Sequence, residues 1–252
     1  MKTFLRMIVL GAALTSSVAL AAGEYKEPRQ MDWPFAGPLG RVDEVAAQRG
    51  FQVYKEVCAA CHGIKRVPFR RLADIGFSEA EIKAIAADYT VMDGPNDDGE
   101  MFERPARPSD KFPSPYANEK AARAIHGGAY PVDQSLIVKA RKDGANYVYS
   151  LLTGYQEAPE GFAVPDGAHY NPYFPGKVIK MANPLNDGQV TYQDGTEATV
   201  DQMAYDVVNF LQWAGEPEMQ ERKSMGMKVL IFLSIMTVFF YLAKKRIWKD
   251  VK

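Results

Sequence analysis

Two cysteines and a histidine stand together as Cys58-Ala59-Ala60-Cys61-His62, and these are the only two cysteines in the 252-residue chain. The C-x-x-C-H spacing is the attachment signature of a c-type haem. Each thiol adds across a vinyl group of the porphyrin to give a thioether. Two intervening residues let the backbone turn so that both sulfurs reach one porphyrin edge. The next side chain, His62, is then placed to give its imidazole nitrogen to the iron as proximal ligand. Other chemistries for a cysteine pair fit less well. Structural zinc takes four protein ligands, and there is no second cysteine pair. A redox dithiol of the thioredoxin type belongs in an alternating strand and helix pattern, which the chain lacks.

An iron held by His62 alone would keep an open site, whereas an electron carrier usually fills the sixth position, and methionine there raises the potential. The chain offers His126, His169 and eleven methionines. Met225, Met227 and Met236 fall in an apolar C-terminal segment. Met219 lies in the polar linker before it, Met203 on the apolar face of a helix, Met92 and Met101 beside an acidic loop, and Met31 near the start. Met181 sits in Tyr173-Phe174-Pro175-Gly176-Lys177-Val178-Ile179-Lys180-Met181-Ala182-Asn183-Pro184. Prolines on both sides stiffen this loop, and its apolar residues can pack on a porphyrin face. Residue types alone leave Met181 one candidate among several, since methionine is also a general gap-filler.

These residues have to be placed by a small set of helices. Residues 42–57 read as a helix leading into the cysteine motif, with Val45, Phe51, Val53 and Tyr54 as its apolar contacts. Ser78 to Tyr89 opens with a Ser-x-x-Glu capping box, Ser78 and Glu81. Residues 118–126 and 143–153 read as short helices, the second stopped by Gly154. The clearest helix covers 199–213. Thr199 and Gln202 form its capping box, and Val200, Met203, Val207, Phe210 and Leu211 share one face. The first and last of these helices are expected to cross and brace the fold. Residues 93–116 read as loop because proline and glycine interrupt any period. Its acidic residues Asp93, Asp97, Asp98, Glu100 and Glu103 form either a solvated surface or a docking patch for a basic electron carrier. The expected fold class is mainly α, with long loops and one C-terminal transmembrane helix.

The two ends agree on a compartment. Lys2 and Arg6 precede an apolar run from Met7 to Leu20 and a small-x-small site at Ala19-Leu20-Ala21, the layout of a cleaved secretory leader over residues 1–21. Residues 22–224 are then an exported haem domain. Residues 225–244 form a transmembrane anchor of about 20 residues, at the short end of what spans a bilayer. Residues 245–252 form a tail whose Lys245, Arg246 and Lys249 belong in the cytoplasm. The formal charge of −1 becomes more negative once Lys2 and Arg6 leave with the leader, and nothing in the chain suggests a nucleic-acid binder. No nucleophile or acid–base constellation is present, and His126 and His169 read as surface or structural.

Several segments in order carry a more specific signal: RGFQVYKEVCAACH, DGPNDDGEMFERP, GGAYPVDQSLIVKAR, YVYSLLTGY, NPYFPGKVIKMANPL and WAGEPEMQERKSMG. From about Gly37 to the C-terminus these resemble the cytochrome c1 family, the haem subunit of bacterial ubiquinol–cytochrome c oxidoreductase. The resemblance implies a class I-like c-type cytochrome domain with one covalent haem c on Cys58 and Cys61, and with His62 and Met181 as axial ligands. Arg141 would pair with a haem propionate and Tyr147 would be its tyrosine partner. It implies no enzyme activity of the chain alone. The chain would be an electron-transfer subunit beside cytochrome b and a Rieske iron–sulfur protein, passing electrons to a soluble c-type cytochrome, in a dimeric complex of the bacterial inner membrane. Two departures stand out. Some bacterial relatives carry an extra cysteine pair near the methionine loop, whereas here Gln156 follows LLTGY, so packing and prolines alone must fix that loop. The family's double proline is Pro131-Val132, and no haem contact is expected of Val132. The rival readings are a free-standing tethered cytochrome, an oxidase subunit, and a haem enzyme or gas sensor with an open sixth site.

Overall fold

A computed structural model describes residues 25–251. The expected leader lies outside the described residues. Helix α1, Glu44–Val53, is capped by Asp43, whose carboxylate accepts from the Ala46 amide at 3.0 Å. Helix α5, Val200–Gly215, is the long helix near the other end, and Thr199 caps it by accepting from the Gln202 amide at 3.2 Å. The two helices cross in the most extensive helix–helix contact of the domain. Gly50 permits the crossing: a Cβ there would lie 2.0 Å from the Asp206 carbonyl oxygen. Phe51 and Tyr54 pack on Phe210 with ring centroids 5.6 and 5.5 Å apart.

The crossing also holds a buried charge. Asp206 has no exposed side-chain surface and takes both Arg49 Nε and an Arg49 terminal nitrogen at 2.9 Å. A second terminal nitrogen of Arg49 reaches Asp194, also at 2.9 Å. Burial pushes the Asp206 carboxyl upward, and Arg49 and Gln202 oppose that shift. A buried carboxylate needs such partners, because an unpaired one costs several kcal/mol. Gln202 is drawn into this set, donating to Asp206 at 3.0 Å. The expected Thr199–Gln202 capping box is therefore only half made.

A 3-10 turn, Phe69–Ile75, leads to helix α2, Glu79–Ala87, where the Ser78–Glu81 capping box is complete. Strands β1, Thr90–Asp93, and β2, Phe102–Pro105, pair antiparallel from Thr90↔Pro105 to Asp93↔Phe102. This corrects the expectation of a continuous loop. Residues 94–101 between the strands and 106–116 after them remain without helix or strand, and four-residue strands are too short for alternation to show through neighbouring prolines and glycines. Arg104 ties the hairpin down by pairing with Asp93 and Asp110. Asp93 is thus neutralised, while Asp97, Asp98 and Glu100 remain exposed at the tip.

Helix α3 is Glu119–Ile125, capped by Asn118, and helix α4 is Gly144–Leu152. The two-residue strands β3, His169–Tyr170, and β4, Val178–Ile179, pair antiparallel and close residues 171–177 just before Met181. Aromatic packing fills the interior, with Phe69 and Phe112 centroids 4.0 Å apart. Val45 departs from expectation, being 56% exposed: it lies on the face of α1 opposite the buried Ala46, Ala47 and Phe51. The fold is mostly helical with little sheet, as expected.

Helix α6 runs from Met219 to Ile247. Its 29 residues include an 18-residue window of mean hydropathy 2.0, none of it buried. At about 1.5 Å per residue it is longer than a hydrocarbon core of about 30 Å, so it is long and apolar enough to cross a membrane. The helix begins six residues before the expected anchor. Met219, expected in a polar linker, is buried at its root with its sulfur 3.8 Å from Gln212 Nε2. The root is held by Lys223, whose ammonium donates to the carbonyls of Phe35, Gly37 and Gly40 at 2.7, 2.7 and 3.1 Å.

Candidate haem site

Helix α1 does not continue regularly into the cysteine motif. It widens into a π turn, Tyr54–Cys58, where the Ala59 amide reaches back to the Tyr54 carbonyl at 2.8 Å. Such bulges occur often at functional sites. One extra residue per turn changes the direction in which the following side chains leave the helix. Cys61 and His62 both return their amides to the Cys58 carbonyl, at 3.1 and 2.8 Å. This tight turn brings the two partly exposed, free thiols and the histidine together. Burial pushes the Cys58 thiol up to about 12.

His62 is oriented from two directions. Its Nδ1 lies 2.7 Å from the Val132 carbonyl. A carbonyl only accepts, so Nδ1 carries the hydrogen and Nε2 holds a free lone pair. Burial lowers the His62 pKa, opposed by the Val132 bond, and the ring is neutral. A neutral imidazole tied at Nδ1 to a carbonyl is the form in which histidine ligates a metal. Behind it, the Tyr54 hydroxyl donates to the His62 carbonyl at 3.0 Å, and burial raises the Tyr54 phenol so that it keeps its proton. The Tyr116 hydroxyl lies 3.4 Å from the Ala60 carbonyl and 2.6 Å from His126 Nε2. His126 therefore has a partner beside the motif.

A second group forms around Met181, which is partly buried. The Tyr155 hydroxyl donates to the Met181 carbonyl at 3.1 Å. Burial raises the Tyr155 phenol, with the nearby Tyr147 phenol adding to the rise. Tyr147 is itself raised by burial and pulled down by Arg141 beside it. Arg141, Tyr147, Tyr155 and Met181 thus form one neighbourhood. The loop is anchored further by Asn171, wholly buried, whose amide donates to the Leu151 carbonyl at 2.8 Å. Next to it the Tyr173 ring fills the space over Gly154, where a Cβ would come within 2.4 Å. The expectation that packing and prolines alone hold this loop is corrected: side-chain hydrogen bonds of Tyr155, Asn171, Lys180 and, from Arg29 to the Tyr173 hydroxyl at 3.2 Å, Tyr173 hold it as well. Among the described residues no hydrogen bond or ion pair joins the Cys58–His62 group to the Arg141–Met181 group.

Sequence reasoning missed the Val132 contact because it considered the side chain, whereas the backbone carbonyl makes it. It also missed Tyr54 and Tyr155, whose partners are backbone groups and leave no residue-type signal.

The donor set fits a covalently attached haem. Two free thiols at C-x-x-C spacing stand beside an imidazole whose outer nitrogen is already satisfied, on a mostly helical domain. This is the arrangement of a c-type cytochrome domain. A family model described as "Cytochrome C1 family" matches residues 33–251, and the chain belongs to that family. It is 46% identical to "Cytochrome c1" of Rhodospirillum rubrum, over 97% of this chain and 98% of that protein. It is 48% identical to "Cytochrome c1-1, heme protein, mitochondrial" of Solanum tuberosum, over 93% of this chain and 75% of that protein. It is 47% identical to "Cytochrome b/c1" of Bradyrhizobium diazoefficiens over 94% of this chain, which spans 39% of that longer protein.

Proposed function

We propose that the chain is the haem-bearing electron-transfer subunit of a membrane quinol–cytochrome c oxidoreductase, not an enzyme by itself. Cys58 and Cys61 anchor one haem c by thioethers, His62 Nε2 and the Met181 sulfur are the axial donors, and Arg141 with Tyr147 neutralises and hydrogen-bonds a propionate. The bound haem supplies reversible one-electron chemistry at its iron. The chain's own part is to retain the group covalently, keep His62 neutral and oriented, exclude water from the iron and raise the potential through methionine. The haem domain lies on the exported side of a bacterial inner membrane, α6 is its single span, and the basic tail is cytoplasmic. Electrons enter from a Rieske iron–sulfur protein and leave to a soluble c-type cytochrome. Cytochrome b is the membrane partner, a reading supported by the Bradyrhizobium relative's printed name, which joins b to c1.

The observation that carries this reading is the His62 tautomer, fixed by Val132 directly after two free thiols. The test uses the full chain purified from membranes of a host that matures c-type cytochromes. The reduced wild type is expected to ignore carbon monoxide and the oxidised form to show the weak far-red methionine-to-iron band. Met181→Leu is expected to lose the band, bind carbon monoxide and fall in potential. Carbon monoxide binding by the wild type, or an unchanged spectrum in the variant, removes Met181 from the iron.

A further inference from the structure

The Val132 carbonyl that fixes His62 belongs to residues 131–135, a stretch without helix or strand. Something other than regular structure must hold that carbonyl in place. Beyond the His62 bond, the stretch makes three cross-links to the chain that follows the histidine. The Gln134 amide donates to the Gly63 carbonyl at 2.7 Å. The Lys65 amide donates to Asp133 Oδ2 at 3.0 Å, and the Arg66 amide to Ser135 Oγ at 3.1 Å. Asp133 also binds inside the stretch, its Oδ1 accepting from the Ser135 amide at 3.1 Å. Ser135 has no exposed surface. Gly63 keeps the approach close, since a Cβ there would sit 3.3 Å from Asp133 Oδ2.

We propose that Asp133 and Ser135 are positioning residues: they strap Val132–Ser135 onto Gly63–Arg66, hold the Val132 carbonyl against His62 Nδ1, and so set the donor strength and ring orientation of the iron ligand. This rests on the haem reading above. A tight Nδ1–H···O bond makes the imidazole a stronger donor, which favours the oxidised metal. Loosening the strap weakens the donor and favours the reduced form.

The test is a redox titration of the full-length protein, with the lowest-field electron paramagnetic resonance g value of the oxidised form, which follows the orientation of the axial ligands. Ser135→Ala removes one acceptor without changing charge, and Asp133→Asn removes the carboxylate. Both are expected to shift the equilibrium about tenfold toward the reduced form, about 59 mV for one electron, and to move the g value while the far-red methionine band stays. If Asp133→Asn shifts the potential and Ser135→Ala shifts neither readout, Asp133 acts as a charge only and the strap is refuted. Unchanged readouts in both variants refute it too. If neither variant accumulates with haem, the stretch is a folding element and the proposal also fails. A wild type without covalent haem would instead overturn the haem reading itself.

Discussion

The segment ending in His62 and the segment carrying Met181 are held by different kinds of structure. The first grows out of helix α1, which is locked across α5 by a glycine-sized crossing and a buried Arg49–Asp206 pair, and His62 is then gripped from both sides. The second is a loop between α4 and α5. It is braced by a two-residue strand pair that ends just before Met181 and tethered to α4, the turn after it and the N-terminal segment by Asn171, Tyr155 and Arg29. Free energies of local opening range from near zero up to the global value, and elements held by few contacts open first. The histidine side is therefore expected to yield only when the domain unfolds, and the methionine side to yield before that.

The largest expected effect tests the histidine side. Arg49→Ala leaves Asp206 buried with Gln202 as its remaining donor, and stranding a buried charge costs about 3–5 kcal/mol. For a domain of this size that lowers the thermal midpoint by roughly 6–20 °C. Far-ultraviolet circular dichroism measures the midpoint. The gap between loss of the methionine band and global unfolding should narrow, because only the global transition moves. Loss of the band well below its wild-type temperature would show that the crossing also supports the methionine loop.

The same division separates what the sequence displays from what it conceals. Elements set by neighbours in sequence are legible: the Ser78–Glu81 box, the Thr199 cap, the C-x-x-C-H spacing and the apolar run of α6 each announce themselves within a few residues. The π turn and the Val132 carbonyl do not, because backbone groups carry no residue-type signature. Asn171 and Tyr155 reach partners 20 and 26 residues away, and polar side chains in a proline-rich loop look alike whether tethered or solvated. Gln202 shows how tertiary demand overrides a local rule: its place at the third helical position suits a capping box, yet the buried Asp206 one turn on takes its amide.

Asn171→Ala is the next largest, and it acts on the methionine side. It removes the bond to the Leu151 carbonyl and leaves the Tyr173 amide without the Asn171 side-chain acceptor at 3.1 Å. Losing a buried hydrogen-bond partner costs about 1–3 kcal/mol. The far-red band is expected to disappear at a lower temperature while the global midpoint moves little. A coincident fall of both would mean that loop and core open as one unit.

The finest test is a matched pair. Tyr54 and Tyr155 each spend one hydroxyl on one backbone carbonyl, of His62 at 3.0 Å and of Met181 at 3.1 Å. Each Tyr→Phe change removes the same bond, worth about 0.5–1.5 kcal/mol, and keeps the ring. Equal chemistry in unequal settings isolates the setting. Tyr155→Phe should bring forward the thermal loss of the methionine band and leave the global midpoint nearly in place. Tyr54→Phe should lower the global midpoint by a few degrees and leave the band intact until that point is reached. If the two variants behave alike, both proposed axial ligands are held by one cooperative structure, and the distinction between a helix-held side and a loop-held side fails.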